Sequence, residues 1–355
     1  MDDQNKKTRR EFLEDIIIKA PVAAGLVCIA LSPGVSASAK KRDDIISMTM
    51  IDPAMILYRE IMAPVSTCFT ESRSVSADRA GGFIVSGDMA LKRIDYSGKI
   101  RETINLNLSP YCAISIDTGY YIALKQRIII TDKKGNVKSE WPILGDNSWI
   151  TSIELDDEHL FIADAGQRIV WCYDREGNFV RKIGGKNPDR NIPGFVVPGP
   201  YFDLAMAPDG LLRVANPGRH RVDAYTVMGD LEFSWGEFGS RLENFSACCN
   251  PVSFTILNDG DIITCEKGTA RVKVYDSTGN LKGFVAEPKE LANVTVSTGS
   301  KREKAQQYGF DIAADNDGHL CILDRARNVV RFFESKNGFP PSRIGVKLKS
   351  IEMTG

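Results

Sequence analysis

The chain of 355 residues is 43% hydrophobic and 26% charged, which is ordinary for a globular protein. Lysine and arginine total 45 against 46 aspartate and glutamate residues, for a formal net charge of -1. This balance shows no basic excess of the kind that nucleic-acid binding needs, so no nucleic acid is expected among the partners.

The first 39 residues are expected to be an export signal rather than part of the fold. Residues 8–13 (TRREFL) contain a pair of arginines, an uncharged stretch begins at Ala20, and the small residues Ala-Ser-Ala occupy 37–39. The pattern resembles a twin-arginine signal, so cleavage after residue 39 and a periplasmic or extracellular location are predicted. Prolines and glycines make the stretch a poor permanent membrane span; an uncleaved anchor is the alternative.

Seven cysteines follow the predicted signal, and they do not describe a disulfide framework. An odd number scattered over a large chain is more typical of buried small hydrophobic residues. The seven are Cys68, Cys112, Cys172, Cys248, Cys249, Cys265 and Cys321.

Six segments after residue 73 share one pattern of three strands with alternating apolar residues, separated by turns. A fourth strand follows, as in LEFSWG at 231–236 and LKGFVA at 281–286. Each closing turn contains a glycine, which suits the positive φ of tight hairpins. These glycines are Gly98, Gly135, Gly177, Gly229, Gly279 and Gly338.

Four antiparallel strands repeated six times predict an all-β fold, a six-bladed β-propeller over residues 74–355. One twisted sheet cannot bury both of its faces alone, whereas sheets stacked around an axis bury them and leave only short edges exposed. Closure of the ring needs one further outer strand. Either 48–61, which overlaps the N-terminal segment 40–73, or 343–352 could supply it, and the N-terminal stretch is favoured.

The fourth and fifth segments carry a family resemblance. Residues 209–236 and 259–281 resemble NHL repeats, and GRHRV at 218–222 stands where the Asn-His-Leu signature of that family falls. The likeness covers the third to sixth segments well and the first two faintly. It implies a binding platform, although similar six-bladed folds include lactonases, phosphotriesterase-like hydrolases and an amidating lyase, so the fold leaves the function open.

Propeller topology predicts which residues meet on one face of the disc. The loop that enters an inner strand and the turn between the second and third strands lie on the same side. Those turns contain Asp164, Asn216, Glu266 and Asp324, which are expected either to cap the turns by accepting backbone N–H bonds or to form a ligand-binding face. The aligned positions near the start of each inner strand predict a ring at the channel mouth, made by Val75, Cys112, Thr151, Asp203, Ser253 and Asp311.

Two groups of residues near this mouth are candidate metal ligands. Asp203 and Asp311 could hold Ca²⁺, or could instead bond to backbone amides where the inner strands begin. Cys248 and Cys249 could be half-buried structural residues, could close into a vicinal disulfide, or could bind a soft metal together with Cys265. A divalent cation or a soft metal ion is therefore the expected cofactor class, if the protein carries one.

Two functions from different classes follow. The first is an exported binding or scaffold module that presents its long loops to a protein partner or a small ligand. The alternative is a metal-dependent, lactonase-like hydrolase or lyase with its site at the channel mouth. The residues alone leave open whether the protein is an enzyme, because no Ser-His-Asp spacing, P-loop or dinucleotide fingerprint is present.

Overall fold

The computed structural model describes residues 51–268, 270–292 and 309–338. The predicted signal at 1–39 and the alternative closing strand at 343–352 lie outside these residues. None of the helices in the described residues has the length and hydropathy that a bilayer span requires.

The chain folds into six antiparallel sheets, which confirms the predicted six-bladed propeller. Two short strands, β1 (Tyr58–Glu60) and β2 (Val65–Ser66), precede the first blade. Blade 1 contains β3 (Ser72–Ala77), β4 (Phe83–Gly87), β5 (Ala90–Ile94) and β6 (Ile100–Asn105). Blade 2 contains β7 (Cys112–Ile116), β8 (Gly119–Ala123), β9 (Ile128–Asp132) and β10 (Val137–Glu140).

The next three blades repeat the same order from the axis outward. Blade 3 contains β11 (Ile150–Leu155), β12 (His159–Asp164), β13 (Ile169–Asp174) and β14 (Phe179–Ile183). Blade 4 contains β15 (Leu204–Met206), β16 (Leu212–Asn216), β17 (Arg221–Tyr225) and β18 (Leu231–Trp235). Blade 5 contains β19 (Ser253–Ile256), β20 (Ile262–Cys265), β21 (Val272–Tyr275) and β22 (Leu281–Phe284), and the short helix α1 (Pro288–Ala292) follows it.

The sixth blade is built from both ends of the described chain. Its inner three strands are β23 (Phe310–Ala314), β24 (Leu320–Asp324) and β25 (Val329–Ser335), and β1 pairs with β25 as the outer strand. Strand β2 also pairs with β25, through Val65 and Val330. The Arg331 guanidinium binds the Glu60 carboxylate at 2.6 and 2.7 Å, so an ion pair reinforces the closure. The N-terminal segment thus supplies the outer strand that closes the ring.

Burial along the blades follows from radial stacking. All five residues of β4 and of β8 are buried, because the middle strands are covered by a neighbouring blade on both faces. All four residues of β10 are exposed, as expected for an outer strand at the rim. The sequences of the middle strands β4 and β8 are therefore mostly apolar, whereas that of the outer strand β10 is mostly polar.

The hydrophobic core is divided among the interfaces between blades. Six clusters of buried residues lie one between each pair of neighbours, and the cluster that joins Val85 of the first blade to Leu323 of the sixth completes the circle. Each blade buries both faces only because it has two neighbours. The ring is therefore cooperative, in the sense that loss of one interface exposes two apolar faces.

Closing turns confirm the role assigned to their glycines. Gly279 has φ of 94°, and a Cβ at this position would lie 2.5 Å from the Trp235 ring of the preceding blade. A side chain would be disfavoured there by backbone conformation and by contact with the neighbour. In the same turn Asp276 accepts the backbone N–H groups of Thr278 and Asn280 at 2.9 Å, which fixes the hairpin.

Candidate functional site

The inner strands of the six blades enclose an axial channel with a cavity of about 680 Å³. Five residues of the predicted ring line this channel, namely Val75, Cys112, Thr151, Asp203 and Asp311. Residues from distant parts of the chain therefore line one channel, as the register inferred from the repeats predicted, and the cavity continues along the inner strands to the turns at Asp78, Asp117 and Asp315.

The Asp203 and Asp311 carboxylates join neighbouring blades in this channel. Asp203 accepts the N–H of Leu204 and, from the next blade, the N–H of Phe254, both at 2.9 Å. Asp311 accepts the N–H of Val75 in blade 1 at 2.8 Å and the Ser253 hydroxyl of blade 5 at 2.7 Å. Both carboxylates thus bond to backbone amides, the second of the two roles expected for them. Their assignment as Ca²⁺ ligands stays a prediction.

Burial raises the pKa of two carboxyl groups in the channel, those of Asp203 and Glu154. Burial, followed by the negative charge of Asp311, raises the pKa of Asp203 to about 6, although hydrogen bonds from Ser152 and Phe254 counteract the shift. Glu154 lines the same cavity, and enclosure by the protein raises its pKa to about 7. Asp311 is compensated by Arg325, whose Nη2 lies 3.2 Å from Oδ1. Sequence reasoning missed Glu154, because its inward orientation depends on the strand register.

The four predicted turn residues are buried, and three of them hold the incoming loops. Asp164 accepts the N–H of Trp149 at 2.9 Å, Asn216 accepts that of Val196 at 2.9 Å, and Glu266 accepts that of Ser246 at 3.0 Å. Asp324 instead caps its own turn, accepting the N–H groups of Ala326 and Arg327 at 3.1 Å. A ligand on this face would meet the loops that these side chains fix rather than the side chains themselves.

We call the side of the disc formed by these loops and turns the loop face. It comprises the incoming loops 67–71, 106–111, 141–149, 184–203, 236–252 and 285–292, together with the turns 88–89, 124–127, 165–168, 217–220, 266–268 with 270–271, and 325–328. Within the described residues, six of the ten exposed large hydrophobic side chains lie here, and Trp149 and Phe238 are 36% and 66% exposed. The other four of these six are Met89, Leu108, Ile143 and Val196.

Basic side chains pack on aromatic rings of this face, close to the channel mouth. Arg73 lies 4.6 Å from the Tyr111 ring centroid and Lys125 lies 5.0 Å from that of Trp149. The two rings meet edge to face at 6.4 Å, so the four residues form one continuous cluster across blades 1 to 3. Cation–π contacts of this kind orient the cations, and Arg73 is also ion-paired with Glu71 at 3.0 Å.

The turns between strands carry opposite charges at the two ends of the channel. The second-to-third turns on the loop face contain eight basic residues: Lys125, Arg127, Arg168, Arg219, Lys267, Arg271, Arg325 and Arg327. The first-to-second turns on the opposite face contain ten acidic residues: Asp78, Asp117, Asp156, Asp157, Glu158, Asp209, Asp259, Asp261, Asp315 and Asp317. The near-zero net charge conceals this polarity. The described incoming loops carry more acids than bases, so the basic excess belongs to the turns.

The cysteines predicted as soft-metal ligands are separated in the fold. Cys248 and Cys249 lie on the loop face with their sulfur atoms 3.4 Å apart, and both are free thiols. Cys265 is fully buried in the hydrophobic cluster between blades 5 and 6. The structure brings no three of Asp203, Asp311, Cys248, Cys249 and Cys265 within 4.8 Å of one another.

Another group does meet that distance among the described residues: Asp315, Asp317 and His319. Its geometry is explained by a turn, because Asp315 accepts the N–H groups of Asp317 and His319 and lies 2.9 Å from the His319 ring. The turn at Asp156 and His159 in blade 3 has the same bonds. The cluster therefore needs no metal to account for it.

Solved structures with this fold have very different sequences. A streptogramin B lyase is similar, with a TM-score of 0.52 and 13% identity over 80% of this chain and 100% of that chain. A protein of unknown function from Bacteroides thetaiotaomicron has a TM-score of 0.55 and 12% identity over 78% of this chain and 75% of that chain. The WD40 domain of Neurospora crassa Pan2 has a TM-score of 0.51 and 10% identity over 82% of this chain and 98% of that chain. No protein-family model and no curated protein sequence matches the chain. The similarity shows the propeller fold.

Proposed function

We propose that the protein is an exported, NHL-type binding propeller whose loop face holds a protein partner. The observation that carries this proposal is the concentration of exposed apolar side chains on that face, beside the aromatic and basic cluster near the mouth. Exposed apolar groups gathered on one side of a disc favour a docking surface over random surface composition. Export is supported by the sequence at 8–13 and 37–39.

The chemistry of the cluster indicates the kind of partner. Tyr, Trp and Arg are the residues that most often dominate the binding energy of protein interfaces. Trp149 offers a large, partly exposed ring, and Lys125 adds positive charge beside it. A segment with apolar side chains next to Asp or Glu would satisfy both features.

The buried turn residues make this surface rigid before binding. Asp164 and Asn216 fix the backbone of Trp149 and Val196, so the loops that bear these exposed side chains are held by buried acceptors. A rigid surface loses little conformational entropy when a partner docks. The propeller thus presents an ordered platform.

The test compares the wild type with two double variants. W149A/F238A removes exposed rings from the loop face, and V137A/M228A removes exposed apolar side chains from other parts of the surface. Immobilised protein is exposed to proteins of the compartment to which it is exported, and bound proteins are quantified by mass spectrometry. A candidate partner must be retained by the wild type and the control and lost by W149A/F238A.

The candidate partner is then purified and titrated. We expect W149A/F238A to weaken binding by about tenfold or more, with the wild-type affinity falling as salt is added. Equal affinity of the wild type and W149A/F238A would overturn the proposal.

A metal-dependent, lactonase-like hydrolase or lyase is the second candidate. It is favoured by Asp203 and Glu154, whose raised pKa values let them exchange protons near neutral pH inside a cavity. Metal analysis of protein purified from its native compartment tests it. Stoichiometric metal that is lost in Asp203→Asn would support the enzyme, whereas folded wild-type protein without metal would contradict it.

A further inference from the structure

The adjacent thiols of Cys248 and Cys249 differ from the other cysteines in access and spacing. Their sulfur atoms lie 3.4 Å apart; the Cys248 residue is exposed, while Cys249 is 7% exposed. Of the five other cysteines in the described residues, Cys68 alone is exposed and the remaining four are buried. Reagents in solvent can therefore reach this pair through Cys248.

The backbone around the pair is held in a defined conformation. Ala247 has φ of 60°, a left-handed value that a residue with a Cβ adopts at a cost of about 1 kcal/mol. Asn250 ties the segment to itself and to the neighbouring turn: its amide donates to the Ser246 carbonyl at 2.5 Å, and its oxygen accepts the Lys267 N–H at 2.9 Å. The two thiols of this segment lie close together, although adjacent side chains in extended backbone point to opposite sides.

We propose that Cys248 and Cys249 form a reversible vicinal disulfide by exchange with an external disulfide. The Cys248 thiolate attacks one sulfur of the oxidant and releases the other as a thiolate, which leaves a mixed disulfide on Cys248. The Cys249 thiolate then attacks the Cys248 sulfur and expels the second half of the oxidant. Two electrons pass from the cysteine pair to the oxidant, and the two released thiolates take up the two cysteine protons.

Formation of the Cys248–Cys249 disulfide would change the conformation of part of the loop face. The sulfurs must approach from 3.4 Å to a bond of about 2.05 Å, which requires the backbone of 247–249 to rotate. The Ala247 carbonyl accepts the His220 Nε2–H at 2.8 Å, and the His220 ring packs on the exposed Phe238 ring at 4.9 Å. Oxidation would therefore alter the packing of one exposed aromatic residue of the proposed docking surface. The disulfide itself does not depend on the proposed binding function.

The experiment uses the full chain carrying Cys28→Ser and Cys68→Ser, which removes the cysteine that lies outside the described residues and the other exposed thiol within them. The folded protein is incubated with glutathione disulfide, and its intact mass and proteolytic fragments are measured. We expect the mass to fall by two hydrogen atoms, the link to join Cys248 to Cys249, and dithiothreitol to reverse it. Hydrogen exchange at 236–247 should rise on oxidation.

Variants of each cysteine separate the two steps. In Cys249→Ser, the protein should gain one glutathione at Cys248, because the resolving thiol is absent, whereas Cys248→Ser should gain none. Two free thiols in the treated wild type, a stable glutathione adduct on wild-type Cys248, or a link from Cys248 to another cysteine would overturn the proposal. The wild-type measurement decides the matter even if a variant fails to fold.

Discussion

The Asp311 carboxylate of the sixth blade accepts the backbone N–H of Val75 in the first blade at 2.8 Å, across 236 residues of sequence. The same carboxylate accepts the Ser253 hydroxyl of the fifth blade. One buried side chain therefore ties three blades together at the inner edge of the ring. Polar bonds therefore join the blades beside the channel, whereas the interface between blades 6 and 1 farther from the axis is apolar.

Removal of this carboxylate should destabilise the whole ring. Asp311→Ala leaves the Val75 N–H without its acceptor and Arg325 without its ion-pair partner. We expect the free energy of unfolding in urea to fall by about 2–4 kcal/mol. Asp117→Ala, on the exposed turn of blade 2, should change it by less than about 0.5 kcal/mol. Equal stability of the two variants would show that the bonds of Asp311 contribute nothing net.

Loss of the first strand should open the ring. A variant that lacks residues 1–61 has no β1, so the outer edge of β25 is partly unpaired and the buried Arg331 guanidinium loses Glu60. We expect Tm in calorimetry to fall by about 5 °C or more relative to a variant lacking residues 1–50, with aggregation through the exposed edge. If both variants unfold at the same temperature, β1 does not close the propeller in solution.

The repeats predicted the architecture because each blade makes the same local demands on sequence. Glycine at the closing turns, apolar runs in the middle strands and a fixed register recur six times, and the structure confirms the blade number. The register also located Asp203 and Asp311 in one channel. These features depend on short-range patterns, which can be recognised in a single sequence.

Partners of individual side chains were not predictable in the same way. Cys265 stands in a strand facing the core, whereas Cys248 and Cys249 lie on the loop face, and the residue types alone do not reveal this difference. Contacts such as Lys125 with Trp149 join different blades and follow from how the incoming loops fold. The opposite charges of the two sets of turns could have been found by summing the charges of aligned turns.

Stability should decline between about pH 5 and pH 8 through Glu154. Its pKa in the folded protein is about 7, above the ordinary value of 4.5, so the native state binds more protons than the unfolded state in this window. Stability from the protonated form is therefore lost as the pH rises towards 7. Glu154→Gln should flatten this decline by about 1–2 kcal/mol in urea unfolding, whereas Glu158→Gln in the exposed turn should retain it. A decline of the same size in Glu154→Gln would exclude this origin.

The ion pair between Glu266 and Lys273 is expected to be the most sensitive anchor of the loop face. Both side chains are fully buried, with Lys273 Nζ at 2.5 Å from Glu266 Oε1 and at 2.6 Å from the Asn244 carbonyl. Glu266→Gln leaves a buried ammonium without its counter-charge and should lower the free energy of unfolding by about 3–5 kcal/mol.

The double variant Glu266→Gln/Lys273→Met separates loss of the pair from loss of the glutamate. It removes both charges, so urea unfolding should show a large part of the stability restored, because a buried apolar side chain needs no counter-charge. Hydrogen exchange of the Ser246 N–H reports whether the introduced amide oxygen replaces the Glu266 carboxylate as its acceptor. Exchange faster than in the wild type would mean that it does not. A double variant as unstable as Glu266→Gln would mean that the unpaired charge of Lys273 is not the cause.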